Sequence, residues 1–484
     1  MKLQELLAGI PVKEMHADPE IEISGVFSDS RKILPGAAFV CLKGLSVDGR
    51  DYLPVALEKG AVAAICQEAP ATKIPYVLVE NTREALPLLL SNLYQHPERS
   101  FSRIIGITGT NGKTTTSFML KAIFEEGGCK TGLIGTTKYL IGDEEYPVDP
   151  KDALLTTPDP ELLFRLFAAM REKKVDTVIM EASSHALALK KLTGIPFDLG
   201  VFTNLTQDHL DFHKSMEEYL EAKKALFRVA KKGIFNADDP SFEKISRGCD
   251  AIVTYSARRA AHYQATKILS HNEKGISYQL TDPQGKREVS VPVPGFFTVY
   301  NSLAAIAAAR ESGVAWDAIL KALSRMDGVK GRIERIPTRT PYSVFIDFAH
   351  TPDALQNILS TLRDFTKGRL VTLFGCGGDR DKKKRPIMGR IACQMSDFVI
   401  VTSDNSRSEK KEDIIRDILE GVKDAGCEYV AITDRTEAIH YAIDHAREGD
   451  VILLAGKGHE EYEIDQNGKH SYSERNIVLD YIGE

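Results

Sequence analysis

Residues 106–116 read Gly-Ile-Thr-Gly-Thr-Asn-Gly-Lys-Thr-Thr-Thr, and this run limits what the chain can become more than any other. It follows an apolar stretch (Ile104, Ile105, Ile107) with the composition of a strand and precedes one with the spacing of a helix (residues 118–124). A strand that empties through a Gly-rich turn into a helix leaves backbone N–H groups unpaired at the positive end of the helix dipole. Such a turn holds phosphate. Lys113 is placed to reach the outer phosphates and the Thr114 hydroxyl to hold Mg²⁺. The strict spacing of a phosphate loop asks for glycine at position 107, where this chain has Ile, so the loop is a variant that uses Gly109 instead. The plainer alternative is a glycine turn followed by a chance lysine, but turn chemistry alone does not ask for Gly-Lys-Thr at that place.

Composition narrows the setting. A chain of 484 residues is too long for one core, and its length suggests about three domains. With 62 Lys and Arg against 68 Asp and Glu, the formal charge is −6 and no long run has one sign, which argues against a nucleic-acid surface. The seven cysteines are scattered without a C-x-x-C pair and read as reduced, mostly buried thiols, neither a disulfide frame nor a zinc site. The apolar stretch near Met1 is too short for a signal peptide, and no segment approaches the roughly eighteen apolar residues of a membrane span. The expectation is a cytoplasmic enzyme.

Along the chain, residues 1–98 mix short β-rich runs (21–27, 38–42, 76–79) with helical stretches and end in the polar segment 95–100. From 99 to 330, strands such as 177–180 and 199–203 alternate with helical patterns such as 161–170, which predicts βαβ units on a parallel sheet. From 331 to 484 the alternation restarts, with strands at 343–347, 369–374, 397–402, 429–433 and 451–455 and helices at 352–365, 386–395, 412–425 and 437–447. The predicted class is α/β: an N-terminal α/β domain, a central ATPase-like parallel sheet, and a Rossmann-like doubly wound third domain.

Open α/β sheets hold ligands at strand ends. Three further clusters fall there. In Met180-Glu-Ala-Ser-Ser-His185, Glu181 is a candidate metal carboxylate and Ser183 a substrate contact, although a solvated strand end explains them as well. In the segment 204–213, which carries Asp208, His209, Asp211 and His213, His209 either ligates a divalent cation or belongs to a helix cap. In Phe374-Gly-Cys-Gly-Gly-Asp-Arg-Asp381, with Lys382 to Arg385 behind it, a cationic glycine turn suits a carboxylate or phosphate.

Taken together, Gly109-Thr-Asn-Gly-Lys-Thr-Thr115, Glu181-x-Ser-Ser-His185, Asp208-His-Leu-Asp211, Gly331-Arg-Ile-Glu334, residues 347–355, residues 375–386, Asp404-Asn-Ser-Arg407 and Gly456-Lys-Gly-His-Glu460 resemble the Mur ligases. These are ATP-dependent amide-forming enzymes of peptidoglycan precursor assembly, and the last motifs resemble the members that add the third residue of the peptide stem. The resemblance runs from Ser28-Asp-Ser-Arg31 to the C-terminal strand. It implies a domain for the UDP-sugar, a central ATPase domain and a third domain for the incoming amino acid. It also implies an acyl phosphate formed from the terminal carboxylate of UDP-MurNAc-L-Ala-D-Glu and ATP.

Residue by residue, the resemblance assigns Gly109, Thr110, Asn111, Gly112, Lys113, Thr114, Thr115, Asn301, Arg332 and Asp347 to ATP. It assigns Ser28, Ser30, Ser46, Thr156, Thr157, Ser183 and Lys191 to the UDP-MurNAc-dipeptide, and Arg380, Asp404, Asn405, Ser406, Arg407, Gly456 and Glu460 to the amino acid. Lys113, His209 and Lys223 are the expected catalytic residues. Two Mg²⁺ ions are implied, one held by Thr114 and Glu181, the other by His209 and a carbamate on Lys223 derived from CO₂. From the sequence alone, Lys223 next to Lys224 equally reads as a solvated helix face. The other expected partners are small molecules, and the expected state is a monomer.

The chain departs from the family pattern at Thr298, where Asn is usual, at Leu189 and Lys191, where Gln and Arg are usual, and at Ser406, where Pro is usual. Arg and Lys are not equivalent where a bidentate fork is needed, and Ser406 gives up a fixed φ and gains an N–H. Arg407 offers a planar fork for the extra carboxylate of meso-diaminopimelate, which lysine-adding relatives typically lack, so diaminopimelate is the expected amino acid and L-lysine the rival. A folylpolyglutamate-synthetase-like ligase would share the central loop without Gly375-Cys-Gly-Gly-Asp-Arg-Asp381 and Asp404-Asn-x-Arg407. A nonenzymatic nucleotide-dependent scaffold would not need Lys113 and Lys223.

Overall fold

The computed structural model describes residues 1–44, 47–149, 155–210, 212–272, 274–326, 328–423 and 425–483. Three main sheets follow one another along the chain. The first has five strands in the order Val12–His16, Tyr76–Val79, Ala63–Cys66, Ala38–Val40, Val26–Phe27. Only the exposed edge strand Val12–His16 runs antiparallel. The strand expected over 21–27 shrinks to Val26–Phe27.

The central sheet has eleven strands, and Arg103–Thr108 lies in its middle, paired in parallel with Thr177–Glu181 and Leu199–Phe202. Ile104, Ile105 and Ile107 are fully buried, as expected of a strand covered on both faces. One covering helix is Phe297–Glu311, whose residues from Ser302 to Ala309 are all buried; a helix apolar all round belongs in a core. The sheet is parallel only at its heart. The strands Tyr263–Asn272, Gly275–Asp282 and Gly285–Val291 form an antiparallel wing at one edge, and Tyr139–Ile141 and Glu144–Glu145 form another. The βαβ expectation for this region does not include these wings. Their signal is a period of two: Ile276, Tyr278 and Leu280 point inward from Gly275–Asp282.

The third sheet orders Glu334–Ile336, Ser343–Asp347, Val451–Ala455, Leu370–Phe374, Phe398–Val401 and Glu428–Ala431. Its five parallel strands are those expected, and the antiparallel edge strand Glu334–Ile336, the hairpin Tyr462–Asp465 with Gly468–Ser471, and the helix Glu474–Ile482 are additional. The helix Pro352–Arg363 starts cleanly because the Thr351 side chain accepts from Ala354 N and Pro352 supplies a preset φ at the first position. One expectation fails here: Cys393 and Cys427 are joined in a disulfide. Packing of the helix Lys384–Met395 on Lys411–Lys423 brings these two together across a sequence separation of 34, a distance that no local spacing reveals. Among the described residues, no helix is long and apolar enough to cross a membrane.

Candidate active site

The helix Lys113–Glu126 begins at Gly112, which has φ +85° and offers no side-chain cap. Its first N–H groups therefore remain available to an anion. A Cβ on Gly112 would strike Asn301 Oδ1, and one on Gly109 would strike Thr203 Oγ1, so both glycines are required by close approach. The loop is held against segment 203–206. Asn111 N donates to Asn204 Oδ1 (2.9 Å), Thr110 N to Asn204 O (2.9 Å) and Thr206 N to Thr110 Oγ1 (3.0 Å). Lys113 curls back, donating from Nζ to the carbonyls of Gly109 and Thr110, both at 2.9 Å. Burial lowers its pKa, while Glu181 and Asp208 pull it back up.

Glu181 ends the strand Thr177–Glu181 and is fully buried. Its Oε1 accepts from Thr136 N (3.1 Å) and its Oε2 from Thr136 Oγ1 (2.9 Å), and among the described residues it forms no ion pair. A buried carboxylate with neutral donors only is suited to a cation. Thr114, on the first turn of the loop helix, is also buried.

Lys223 decides between the two readings of its helix. It is 1% exposed, with Nζ donating to Gly109 O (2.9 Å) and lying 4.3 Å from the centre of the Tyr219 ring. Lys224 lies at the rim, 3.5 Å from Glu221. Desolvation, reinforced by repulsion from Lys113, pushes the Lys223 amine well below its ordinary pKa. A shift in that direction favours the neutral, nucleophilic amine that carbamylation requires. His209 has φ +53°, a left-handed conformation that costs a residue with a Cβ and is concentrated at functional sites. Burial lowers its pKa to about 4, with His185, Lys113 and Lys223 adding to the effect and Asp208 opposing it. The imidazole is thus neutral and able to ligate. Among the described residues no group of three or more His, Cys, Asp and Glu side chains is placed to hold a metal ion, so the expected cation set would depend on the Thr114 hydroxyl and a modified Lys223.

Arg332 and Asp347 lie where the chain enters the third sheet. Asp347 accepts from Ile333 N and Ala349 N, both at 2.8 Å, and burial raises its pKa. The Arg332 guanidinium covers the Phe348 ring at 4.9 Å, and its buried Nε has no hydrogen-bond partner among the described residues. Thr298 is fully buried and its hydroxyl bonds to Pro294 O (3.2 Å), so it turns inward.

On the other side of Glu181, Thr157 Oγ1 donates to Glu181 O (2.7 Å) and accepts from Ser183 N (2.9 Å), while Thr156 Oγ1 meets Thr136 Oγ1 (3.1 Å). Thr156, Thr157 and Ser183 thus gather beside the carboxylate. Lys191 is paired with Asp159 at 2.6 Å. Ser28 reaches this region from the first sheet by donating to Glu161 Oε1 (2.6 Å), and Ser30 is buried nearby in sequence. Ser46 lies outside the described residues.

The third cluster sits at the ends of Leu370–Phe374, Phe398–Val401 and Val451–Ala455. Asn405 donates from Nδ2 to Glu460 Oε2 (2.7 Å), while its Oδ1 accepts from Lys457 Nζ (3.0 Å) and Ile464 N (2.9 Å). Burial and Asp404 raise the Glu460 pKa. Burial also opposes the charge of Asp404, but Lys457 and Arg435 outweigh it and hold that carboxyl low. Gly456, at φ +116°, leaves room for the Asp404 carboxylate. Arg407, at φ +50°, donates from Nη1 to Gly378 O (2.8 Å) and forms no ion pair among the described residues. Ser406 is buried with its carbonyl against Gly378, and Arg380 is exposed on the neighbouring turn.

Sequence reasoning missed the supports of this pocket. Arg385, read as part of a cationic turn, is fully buried and spent on Glu409 (2.8 Å) and Asp417 (2.8 Å). Arg435 donates to Ser403 O (3.0 Å) and Ala455 O (2.8 Å) and pairs with Glu474 (2.8 Å), tying two of the three pocket loops from below. Lys457, enclosed in Gly456-Lys-Gly-His-Glu460, and Arg385, within residues 375–386, stand in motifs, whereas Arg435 stands in none.

A Gly-rich loop at a helix N-terminus, a buried carboxylate with hydroxyls beside it, and a polar cluster at the strand ends of a separate sheet are the parts an ATP-dependent ligase of the Mur type would use. The chain belongs to the Mur ligase family: the profile for the Mur ligase middle domain matches residues 107–309, that for the Mur ligase glutamate ligase domain residues 331–458, and that for the Mur ligase family catalytic domain residues 22–94. It is 44% identical over 490 residues, covering 100% of this chain and 99% of the relative, to the UDP-N-acetylmuramoyl-L-alanyl-D-glutamate--2,6-diaminopimelate ligase of Caldanaerobacter subterraneus subsp. tengcongensis. It is 42% identical to the protein of the same name from Bacillus velezensis, covering 99% of this chain and 98% of that one. A solved structure of a ligase of that name superposes with a TM-score of 0.70 at 30% identity, covering 100% of this chain and 99% of the other.

Proposed function

We propose that this protein is the ligase that adds meso-diaminopimelate to UDP-MurNAc-L-Ala-D-Glu with conversion of ATP to ADP and phosphate, acting in the cytoplasm. Full-length identity of 44% to a diaminopimelate ligase supports the reaction. The observation that carries the choice of amino acid is Arg407, a guanidinium without an ion pair among the described residues, which donates to the carbonyl of Asn405, whose side chain in turn donates to Glu460. Its fork suits the distal carboxylate of diaminopimelate, and Glu460 the ammonium. The three sheets correspond in this reading to domains 1–98, 99–330 and 331–484, acting as a monomer.

The terminal carboxylate oxygen of the dipeptide attacks the γ-phosphorus, the bond to the bridging oxygen breaks, and ADP leaves. Lys113 counters the repulsion between carboxylate and triphosphate, with Gly109 to Thr115 cradling the phosphates and Asn301, Arg332 and Asp347 holding the nucleotide. Ser28, Ser30, Ser46, Thr156, Thr157, Ser183 and Lys191 orient the UDP-MurNAc-dipeptide. The amine of the incoming amino acid then attacks the acyl carbon, phosphate departs with the C–O electron pair, and the nitrogen loses a proton. Arg380, Asp404, Asn405, Ser406, Arg407, Gly456 and Glu460 line the path of that amine. The buried Glu181, hydrogen-bonded to Thr136, would hold one Mg²⁺ ion with Thr114, and neutral His209 a second with a Lys223 carbamate. When bound, Mg²⁺ supplies fixed positive charge beside the phosphates.

The test is phosphate release from ATP with UDP-MurNAc-L-Ala-D-Glu and either meso-diaminopimelate or L-lysine. Release with diaminopimelate in clear preference is expected. Preference for L-lysine would overturn the choice of amino acid, and release with neither would overturn the reaction.

A further inference from the structure

A side chain of the 347–355 motif to which the resemblance assigns no role joins the third sheet to the nucleotide loop. Asp353, in the first turn of the helix Pro352–Arg363, accepts on Oδ2 from Asn111 Nδ2 (2.8 Å), Thr206 Oγ1 (3.2 Å) and Asn357 Nδ2 (3.3 Å). Asn111 belongs to the loop itself, and Thr206 to the segment bonded to that loop through Thr110. The same helix meets the central domain again near its other end. Thr361 lies against Gly295, and His271 of the strand Tyr263–Asn272 stands 3.6 Å from Asp364.

The path back to the amino-acid pocket is short and stiff. Asp353 follows the strand Ser343–Asp347 by six residues, Asp347 is in register with Ala455, and Gly456 N donates to Asp347 O (3.0 Å). Gly456 opens the pocket loop that ends at Glu460. A displacement of the Asp353 end of the helix therefore moves the pocket relative to the nucleotide loop.

We propose that Asp353 is a positioning residue for amide formation, its carboxylate registering the amino-acid sheet on the nucleotide loop through Asn111 and Thr206. This rests on the ligase reading above. The phosphoryl step joins substrates held on the central sheet, with Arg332 and Asp347 adding contacts to the nucleotide from the third-sheet side, and its reacting atoms do not require this register. The attack of the amine does, because it joins atoms held by two different sheets.

The test separates the two steps. Acyl phosphate is trapped with hydroxylamine from ATP and UDP-MurNAc-L-Ala-D-Glu in the absence of amino acid, and kcat/KM for meso-diaminopimelate is measured in parallel. For Asp353→Ala, trapping is expected to stay within about twofold of the unmodified enzyme while kcat/KM falls about ten- to a hundredfold. Asp353→Asn, which keeps an acceptor oxygen, should recover most of the loss. Thr206→Val, which removes one donor and leaves the helix intact, should show the same split at smaller size. Equal losses in both assays for Asp353→Ala and Thr206→Val, or no loss in either assay, would overturn the proposal. If the unmodified enzyme traps no acyl phosphate and ligates neither amino acid, the ligase reading fails instead.

Discussion

Replacing Arg407 by alanine tests the selection of the amino acid most directly. The Arg407 guanidinium is half-buried, donates from Nη1 to Gly378 O (2.8 Å) and Asn405 O (3.3 Å), and has no carboxylate partner among the described residues. A ligand carboxylate paired with it would lose that partner in the variant, at a cost of about 2–5 kcal/mol for a buried charge. Half-burial favours the low end of the range. About 2–3 kcal/mol corresponds to a fall of roughly 30- to 150-fold in kcat/KM for meso-diaminopimelate. The backbone does not confuse the reading, because φ is +50° and alanine carries the same Cβ penalty there as arginine. L-Lysine has no distal carboxylate, so its slow turnover should hold steady or rise as a cation leaves the neighbourhood of its ammonium. The assay is steady-state phosphate release with each amino acid in both proteins. Equal loss with both amino acids would show that Arg407 supports the pocket without choosing its ligand.

Three further outcomes are expected. Lys113→Ala should lower the rate of acyl-phosphate trapping by roughly 10²-fold or more, since no other described ammonium is bonded to the loop except Lys223, and near-normal trapping would remove Lys113 from the phosphoryl step. Lys223→Ala should be nearly inactive and regain part of its activity when a short carboxylic acid is added, and active enzyme whose intact mass and density show an unmodified Lys223 would refute the carbamate. Glu409, held down to about 2 by Arg385 against an ordinary value of 4.5, should stabilise the third domain fully above about pH 4.5 and progressively less as pH falls toward 2. The difference in Tm between the unmodified protein and Glu409→Gln should therefore shrink over that window, and a difference independent of pH would show that the carboxylate's charge is not what matters.

What the sequence could and could not reveal follows from the range of each interaction. The nucleotide loop, Glu181 and the strand ends of the third sheet are legible because a phosphate turn and a βαβ unit are built from neighbours in the chain, and local pattern suffices. Lys223 beside Lys224 marks where that stops. Two adjacent lysines near the end of a helix look alike in sequence, and only the packing of Met216–Lys224 beside Gly109 turns one inward, to 1% exposure, and leaves the other at the rim. The run Lys382-Lys-Lys-Arg385 divides in the same way. Lys382 and Lys383 are exposed, Lys384 reaches His350 O (2.8 Å), and Arg385 is sealed between Glu409 and Asp417, 24 and 32 residues away. A buried guanidinium is costly without such partners, so its presence is a statement about residues that the local sequence does not contain. That is also why the partners that support this cluster carry no local signal, although the residues expected to line it stand in short motifs. Arg385 and Asp353, although motifs contain them, and Arg435, which none contains, answer to side chains brought in by the fold, and those partners become visible only once the sheets are assembled.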